Sequence, residues 1–385
     1  MIPPPSARVL TRRLLAWFRA GARDLPWRRT LDPYAIWISE IMLQQTQVKT
    51  VIPYYDRWMK VLPDITALAN VSPERLHKLW EGLGYYTRVR NLQQAARLVV
   101  AQHGGKVPLE FDALLELPGI GRYTAGAISS IAFNQPQPIV DGNVVRVLAR
   151  LFAIRGNPKD RRVNDRFWSL ATSLVEAAHA LKPITVPSGS PLKLAGNCSA
   201  LNQALMELGA TVCTPTTPRC AACPLRRCCS AHQSNRVRRY PGTARRPRAT
   251  GRRFIAFVIR RGDRVLIRQR PAGVVNAHLW EFPNAEIAPD GTNVRAAGEK
   301  AIGMATCDVR SLGVIKHSIT RYRISTECFA ATLRGRPPRD AGCWRPVDQL
   351  AQLAFTAAHQ RLLARAVPES SGSSIAAVNS RTPAR

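Results

Sequence analysis

Acidic residues are what this chain most lacks. Against 56 lysines and arginines it sets 25 aspartates and glutamates, so its formal charge at neutral pH is +31. A field of that sign gathers polyanions, nucleic acid first among them. A genome that favours arginine, together with basic tails, is the plainer reading of the same charge. An anionic membrane surface is a third, but no basic amphipathic surface helix supports it. Long apolar runs are missing too: no stretch reaches the roughly 18 residues needed to span a bilayer. Leu14–Phe18 is apolar but short, flanked by arginines and without a following small-residue cleavage site. It is therefore not read as a secretory signal, and a cytoplasmic location is expected. No internal repeat is evident, which sets solenoids aside.

What is present divides in two. The 385 residues are too many for one ordinary core. Residues 1–232 read as a helical domain, rich in Ala, Leu and Arg, with apolar stripes such as Val9, Leu14 and Phe18. Its helices are punctuated by Gly/Pro breaks at Leu25-Pro26, Gly82–Gly84, Pro118–Gly121 and Pro136–Pro138. Ala180–Asn197, rich in Pro, Gly and Ser, reads as a loop inserted between helices. Residues 233–252 form a basic, proline-bearing linker. Strand-like alternation then begins. Phe254–Ile259, the turn Arg261-Gly262-Asp263 and Val265–Ile267 make a hairpin, and Val314–Ile315 and Tyr322–Thr332 follow. Residues 253–367 are thus an α+β domain, and 368–385 a patternless tail expected to be disordered.

Five of nine cysteines lie between Cys213 and Cys229. Cys213, Cys220, Cys223 and Cys229 have the spacing C-x6-C-x2-C-x5-C. Bunched cysteines without a secretory signal bind metal more often than they pair. Zinc sites usually carry two C-x2-C pairs, and the loop 213–229 has one, so the spacing favours a 4Fe–4S cluster. Cys228 is spare. Buried free thiols are the bland alternative. Arg219, Arg226 and Arg227 sit among the ligands, so a cluster here would hold a basic loop in shape against a nucleic-acid backbone.

Residues 111–128 read as helix, Leu117-Pro118-Gly119-Ile120-Gly121 turn, helix: a helix-hairpin-helix. Gly119 and Gly121 let the backbone approach a phosphate, which the N–H groups of the second helix then face. An ordinary glycine-turned helical hairpin is the alternative. Two lone carboxylates stand out. Glu40 is the only charge from Ala35 to Val48, and Asp141 the only one between Arg122 and Arg146. Isolated in apolar surroundings, such groups have raised pKa values, and one protonated with one ionised carboxyl is the equipment for breaking a glycosidic bond. Glu40 reads equally well as a surface position on an amphipathic helix, and Asp141 as a helix N-cap, or as both cap and catalyst. Leu43–Gln47 and Gly82–Arg88 are polar-aromatic loops whose amides and tyrosines suit insertion into a duplex.

On these residues the sequence resembles the MutY adenine DNA glycosylases of the endonuclease III superfamily. The matching segments are LPWRR at Leu25–Arg29, PYAIWISEIMLQQTQV at Pro33–Val48, GLGYYTRVRNL at Gly82–Leu92, LPGIGRYTAGAI at Leu117–Ile128 and VDGNVVRVLARLF at Val140–Phe152. The four cysteines complete them, and RVLIRQRPAGVVNAHLWEFPNAE at Arg264–Glu286 resembles the family's Nudix-like domain. The resemblance implies a mostly α helix-hairpin-helix glycosylase with an iron–sulfur loop, followed by an α+β Nudix-like domain. It implies a monomer acting on double-stranded DNA with adenine opposite 8-oxoguanine or guanine, in a bacterial nucleoid. Glu40 would protonate the flipped adenine at N7, Asp141 would stabilise the sugar cation, and Tyr123 and Asn143 would support the two carboxyls. Arg28 and Gln45 match pocket or intercalating positions, and Tyr85 a wedge. Cys213, Cys220, Cys223 and Cys229 would ligate the cluster.

Members that also nick the strand carry a lysine where this chain has Tyr123. A phenol forms no Schiff base, so a monofunctional glycosylase is expected. The second domain lacks the acidic box of a Nudix hydrolase after Glu281, so recognition rather than pyrophosphate hydrolysis is expected. In the family a Phe-Ser-His turn reads 8-oxoguanine. Here the counterpart is His317-Ser318-Ile319-Thr320-Arg321, with Thr320 in place of the serine and Arg321 in place of the histidine. The rival readings are a glycosylase-lyase on oxidised pyrimidines, a non-catalytic DNA-binding or redox-sensing iron–sulfur protein, and a nucleotide pyrophosphatase.

Overall fold

The computed structural model describes residues 6–183, 185, 189–242, 249–288, 293–319 and 321–366. Thr320, the tail 368–385, and parts of the 180–197 loop and of the linker lie outside them. The chain divides into two compact units, residues 1–246 and 247–385.

The first unit is helical: α1 (Ala7–Gly21), α2 (Pro33–Leu43), α3 (Val48–Val61), α4 (Ile65–Asn70), α5 (Pro73–Trp80), α6 (Thr87–Gln102), α7 (Phe111–Leu115), α8 (Arg122–Phe133), α9 (Gly142–Leu151), α10 (Arg161–His179), α11 (Asn197–Thr211) and α12 (Ser230–Gln233). Start signals are local. Asp32 accepts from the Tyr34 N–H with Pro33 at the first helical position of α2, and Asp141 accepts from the Val144 N–H at α9. Every residue of α2 from Tyr34 to Met42 is buried, so this helix is wrapped on all sides rather than half-exposed. Among the described residues no helix is long and apolar enough to cross a membrane.

Two readings need correction. The stripe on α1 is Leu10, Leu14, Leu15 and Phe18. Val9 is exposed, because α1 turns the neighbouring Leu10 toward the core against α10 and α11. The first part of the linker is not free chain. Tyr240 is buried in the helical core, and Arg150 Nε donates to its carbonyl at 3.1 Å. Composition hid this because one aromatic anchor among arginines is enough to pin such a segment.

The second unit holds β1 (Thr250–Arg261), β2 (Arg264–Gln269), β3 (Trp280–Glu281), β4 (Asn284–Ile287), α13 (Val294–Ile302), β5 (Thr306–Ile319), β6 (Tyr322–Leu333), β7 (Cys343–Pro346) and α14 (Ala357–Ala366). The strand order is β3-β2-β1-β6-β5, with β4 pairing β1 and β7 pairing β2. The expected hairpin forms, with Arg260 opposite Val265. β1 runs parallel to β6 and shows why its centre is apolar at every position. Ile255, Phe257 and Ile259 meet the α13 side, while Ala256 and Val258 meet the α14 side.

Candidate active site

α2, α8, α9 and α11 converge on a cleft of about 440 Å³, whose lining includes Arg28, Glu40, Gln45, Tyr123, Asp141 and Asn143. Glu40 is 4% exposed, on the face of α2 turned to α8. The surface reading of Glu40 therefore fails: a helix this buried has no solvent face to offer. Tyr123, one residue into α8, donates its hydroxyl to Glu40 Oε2 at 2.6 Å. Burial raises the Glu40 pKa to about 7, and the nearby Asp141 charge pushes the same way. The Tyr123 hydrogen bond and Arg28 oppose them.

Asp141 is both N-cap and cleft residue. Its Oδ1 accepts from the Val144 N–H at 2.7 Å and its Oδ2 from Asn143 Nδ2 at 2.9 Å. Burial raises its pKa, and these donors pull it only part of the way back. One carboxyl thus lacks charged-form donors beyond a phenol, while the other has a helix terminus at its back, an asymmetry that favours the charged form of Asp141 over that of Glu40.

Asn143 is held in turn. Arg146 Nη2 donates to its Oδ1 at 2.6 Å and to the Gly209 carbonyl at 2.7 Å. A Cβ on Gly209 would stand 2.5 Å from the Asn143 Cβ, so a glycine in α11 is what lets α9 approach.

The cleft wall contributed by α11 was not read from the sequence. Glu207 is 2% exposed and accepts from Arg23 Nη2 at 2.7 Å and Arg28 Nη2 at 2.9 Å. Burial raises its pKa, but the two guanidiniums win and hold it below the ordinary value. The signal was available: Glu207 is the only charged residue between Lys193 and Arg219. Arg28 is accordingly buried, with Gln203 Oε1 at 3.1 Å and the Phe18 ring beneath it. It is a wall of the cleft rather than a surface contact.

Of the remaining candidates, Gln45 is on the cleft lining and the others lie elsewhere. Gln45 and Tyr85 are exposed, both in the left-handed region at φ 57° and 46°. Gly119 has φ 80°, and a Cβ there would meet Asn91, so glycine is required. Gly121 caps α8 in extended backbone with open space where a Cβ would project, which leaves room for an approaching group. The cysteines follow α11. Burial pushes the Cys223 thiol up to about 12, and the sulfurs of Cys213, Cys229 and Cys220 push the same way, so the four lie together. Among the described residues no three ligand side chains converge tightly enough to clasp a single ion. Arg150 Nη1 donates to Cys213 Sγ at 3.3 Å, and Arg13 Nη1 to the spare Cys228 at 3.2 Å. In the second unit Glu281 is buried between Arg268 and Arg270.

The model of the HhH-GPD superfamily base excision DNA repair proteins matches residues 38–173, and a NUDIX domain model matches 255–365. The chain is similar to the adenine DNA glycosylase of Rattus norvegicus, 36% identical over 384 residues, covering 85% of this chain and 71% of that protein. It is similar to that of Homo sapiens at 35%, covering 84% and 67%. Among solved structures, a thermostable thymine-DNA glycosylase matches at 31% identity and TM-score 0.49, covering 59% of this chain and 97% of that one.

Proposed function

The chain belongs to the adenine DNA glycosylases, and from that premise we propose that it is a monofunctional enzyme removing adenine mispaired with 8-oxoguanine or guanine in duplex DNA. The observation that carries the chemistry is Glu40, buried, bonded to Tyr123 and sharing a cleft with Asp141. A pKa near 7 keeps a large fraction of Glu40 protonated at neutral pH, as a general acid requires. Glu40 gives its proton to adenine N7. The C1′–N9 bond then breaks with its electron pair leaving on a neutral base. Asp141, anchored by the Asn143 amide and the start of α9, faces the cationic sugar, which a water captures. Arg28 and Glu207 form the wall against which the base is held. Tyr123 has no amine with which to displace the base, so the product is an intact strand with an abasic site.

Outside the cleft, Gly119, Gly121 and the N–H groups of α8 suit a phosphate, and the exposed Tyr85, with Gln45 on the cleft lining, suits insertion at the mispair. By their order in the sequence, Thr320 and Arg321 would take the places of the serine and histidine with which the family reads the oxidised guanine. The four cysteines suit a 4Fe–4S cluster. Cys213, Cys220, Cys223 and Cys229, whose sulfurs lie near one another, would hold it as thiolates. When bound it would fix the shape of the loop carrying Arg219, Arg226 and Arg227. On this reading the chain works as a monomer on chromosomal DNA, in the bacterial nucleoid.

The test is a single-turnover assay on a duplex with one adenine opposite 8-oxoguanine, read with and without hot alkali. Strand cleavage after alkali alone is expected. Cleavage without alkali, or borohydride trapping, would mean a lyase. No product at all would turn the reading toward a pyrimidine lesion or a binding protein.

A further inference from the structure

One member of the cleft lining has no part in the chemistry above: Met206 on α11. Its Sδ lies 3.3 Å from the Tyr123 hydroxyl, the same hydroxyl that lies 2.6 Å from Glu40 Oε2. Among the described residues these are the two partners of that hydroxyl. A phenol has one proton to donate and lone pairs to accept another. While Glu40 is ionised, the proton goes to the carboxylate, much the stronger acceptor. Once Glu40 is protonated on Oε2, its own O–H points along the same line, and two protons cannot share it. The carboxyl then donates to the phenol oxygen, and the phenol proton must turn to another acceptor. The hydroxyl is part-buried on the cleft lining, and leaving it without an acceptor there forfeits a hydrogen bond. The thioether is weak as an acceptor, but it is in reach.

We propose that Met206 is a positioning residue for the acid: it accepts the Tyr123 proton whenever Glu40 is protonated, so the chain Glu40–Tyr123–Met206 reverses direction as Glu40 takes up and delivers its proton. No covalent bond changes at Tyr123 or Met206. The proton that Glu40 takes from solvent rests on Oε2 against the phenol oxygen; once adenine is seated, the O–H turns to N7 and passes the proton there, after which the phenol swings back. The other groups acting on Glu40 are Asp141 at the start of α9, which raises its pKa, and Arg28, which lowers it. Arg28 is itself tied to Glu207 on α11, which also binds Arg23. α3, packed on α2, sends no charged group among them. Met206 adds an acceptor that serves the protonated state alone.

The inference rests on Glu40 being the acid, so the experiment separates the two. The protonated carboxyl band of Glu40 is followed by infrared difference spectroscopy against pH in the free full-length protein, identified by its loss in Glu40→Gln. The single-turnover rate is measured over the same range. Met206→Leu, which keeps bulk and removes the acceptor, is expected to lower the midpoint of the band by about half a pH unit, the size of one modest hydrogen bond made in one protonation state. The high-pH fall of the rate should move with it. Met206→Gln, whose amide oxygen can accept, should restore the midpoint. In a Tyr123→Phe background, Met206→Leu should shift nothing further, an outcome that mere packing would not produce. If the leucine variant does not fold, Met206→Ile, equally free of an acceptor, replaces it. An unchanged midpoint in Met206→Leu, or an equal shift with Phe at 123, overturns the relay. A shifted midpoint in a protein that removes no adenine leaves the relay standing and sinks the functional reading.

Discussion

At the scale of single residues the site is a contrast between two carboxyls. Glu40 is wrapped by apolar helix and bonded to a phenol, whereas Asp141 is bonded to a backbone N–H and an amide. Glu40→Gln is expected to retain duplex affinity and lose about 10²–10⁴-fold in single-turnover rate, the usual cost of removing a general acid. The same substitution should change stability with a definite sign. Burial lifts Glu40 from an ordinary carboxylate value to about 7, so between roughly pH 4.5 and 7 the folded state holds a proton the unfolded state has released. That contribution is fully present below the unfolded pKa and is lost as pH rises through 7. Calorimetry should therefore find the Glu40→Gln Tm close to wild type near pH 4.5 and above it at pH 8. A gap that narrows as pH rises would contradict a buried, proton-holding Glu40.

At the scale of elements, α9 does two jobs. Its first residues hold Asp141 and Asn143, and further along Arg146 and Arg150 bind the start of the cysteine loop, Arg146 Nε reaching the Cys213 carbonyl at 2.7 Å. Its seat on α11 depends on Gly209. Gly209→Ala would drive a methyl into Asn143, and about 1–3 kcal/mol of destabilisation is expected from such overpacking. Because the displaced residue supports Asp141, the single-turnover rate should fall as well. A stable, fully active variant would show the contact to be slack. Cys220→Ser should give a colourless protein with a lower Tm and weak duplex binding. A visible absorption band that survives would remove Cys220 from the ligand set.

Across the whole molecule the excess of cations is the dominant feature, and it predicts a salt law. If six or more phosphates are neutralised, duplex affinity should fall roughly 10³-fold or more between 50 and 200 mM salt. Fluorescence anisotropy would measure the slope, and a flat dependence would return the arginine content to codon usage. The second unit takes the NUDIX fold, yet its buried Glu281 is already engaged by Arg268 and Arg270. A carboxylate neutralised by two guanidiniums is poorly placed to hold magnesium, which favours recognition over hydrolysis.

Much of this was legible before any coordinates, and the residues show why. The cysteine spacing, the glycine turn at 117–121, the Asp141 cap and the 254–267 hairpin are short-range patterns, decided by a few neighbouring residues and their backbone preferences. Isolation along the chain marked Glu40 and Asp141, and the same isolation at Glu207 passed unread. What the linear order could not supply was burial. Whether Glu40 faced water or a cleft depended on α8 packing against α2, which brings Tyr123 to it from 83 positions away. Arg28, whose match allowed a pocket or an intercalating position, is a cleft wall because Glu207, 179 positions on, is folded against it. Desolvation and hydrogen bonding set a carboxyl's pKa, and both come from what distant segments bring to it. The kinds of group available to the reaction were determined by the sequence alone; which of them is buried against a phenol, which is capped by a helix start and which forms the wall was decided only when the helices closed around them.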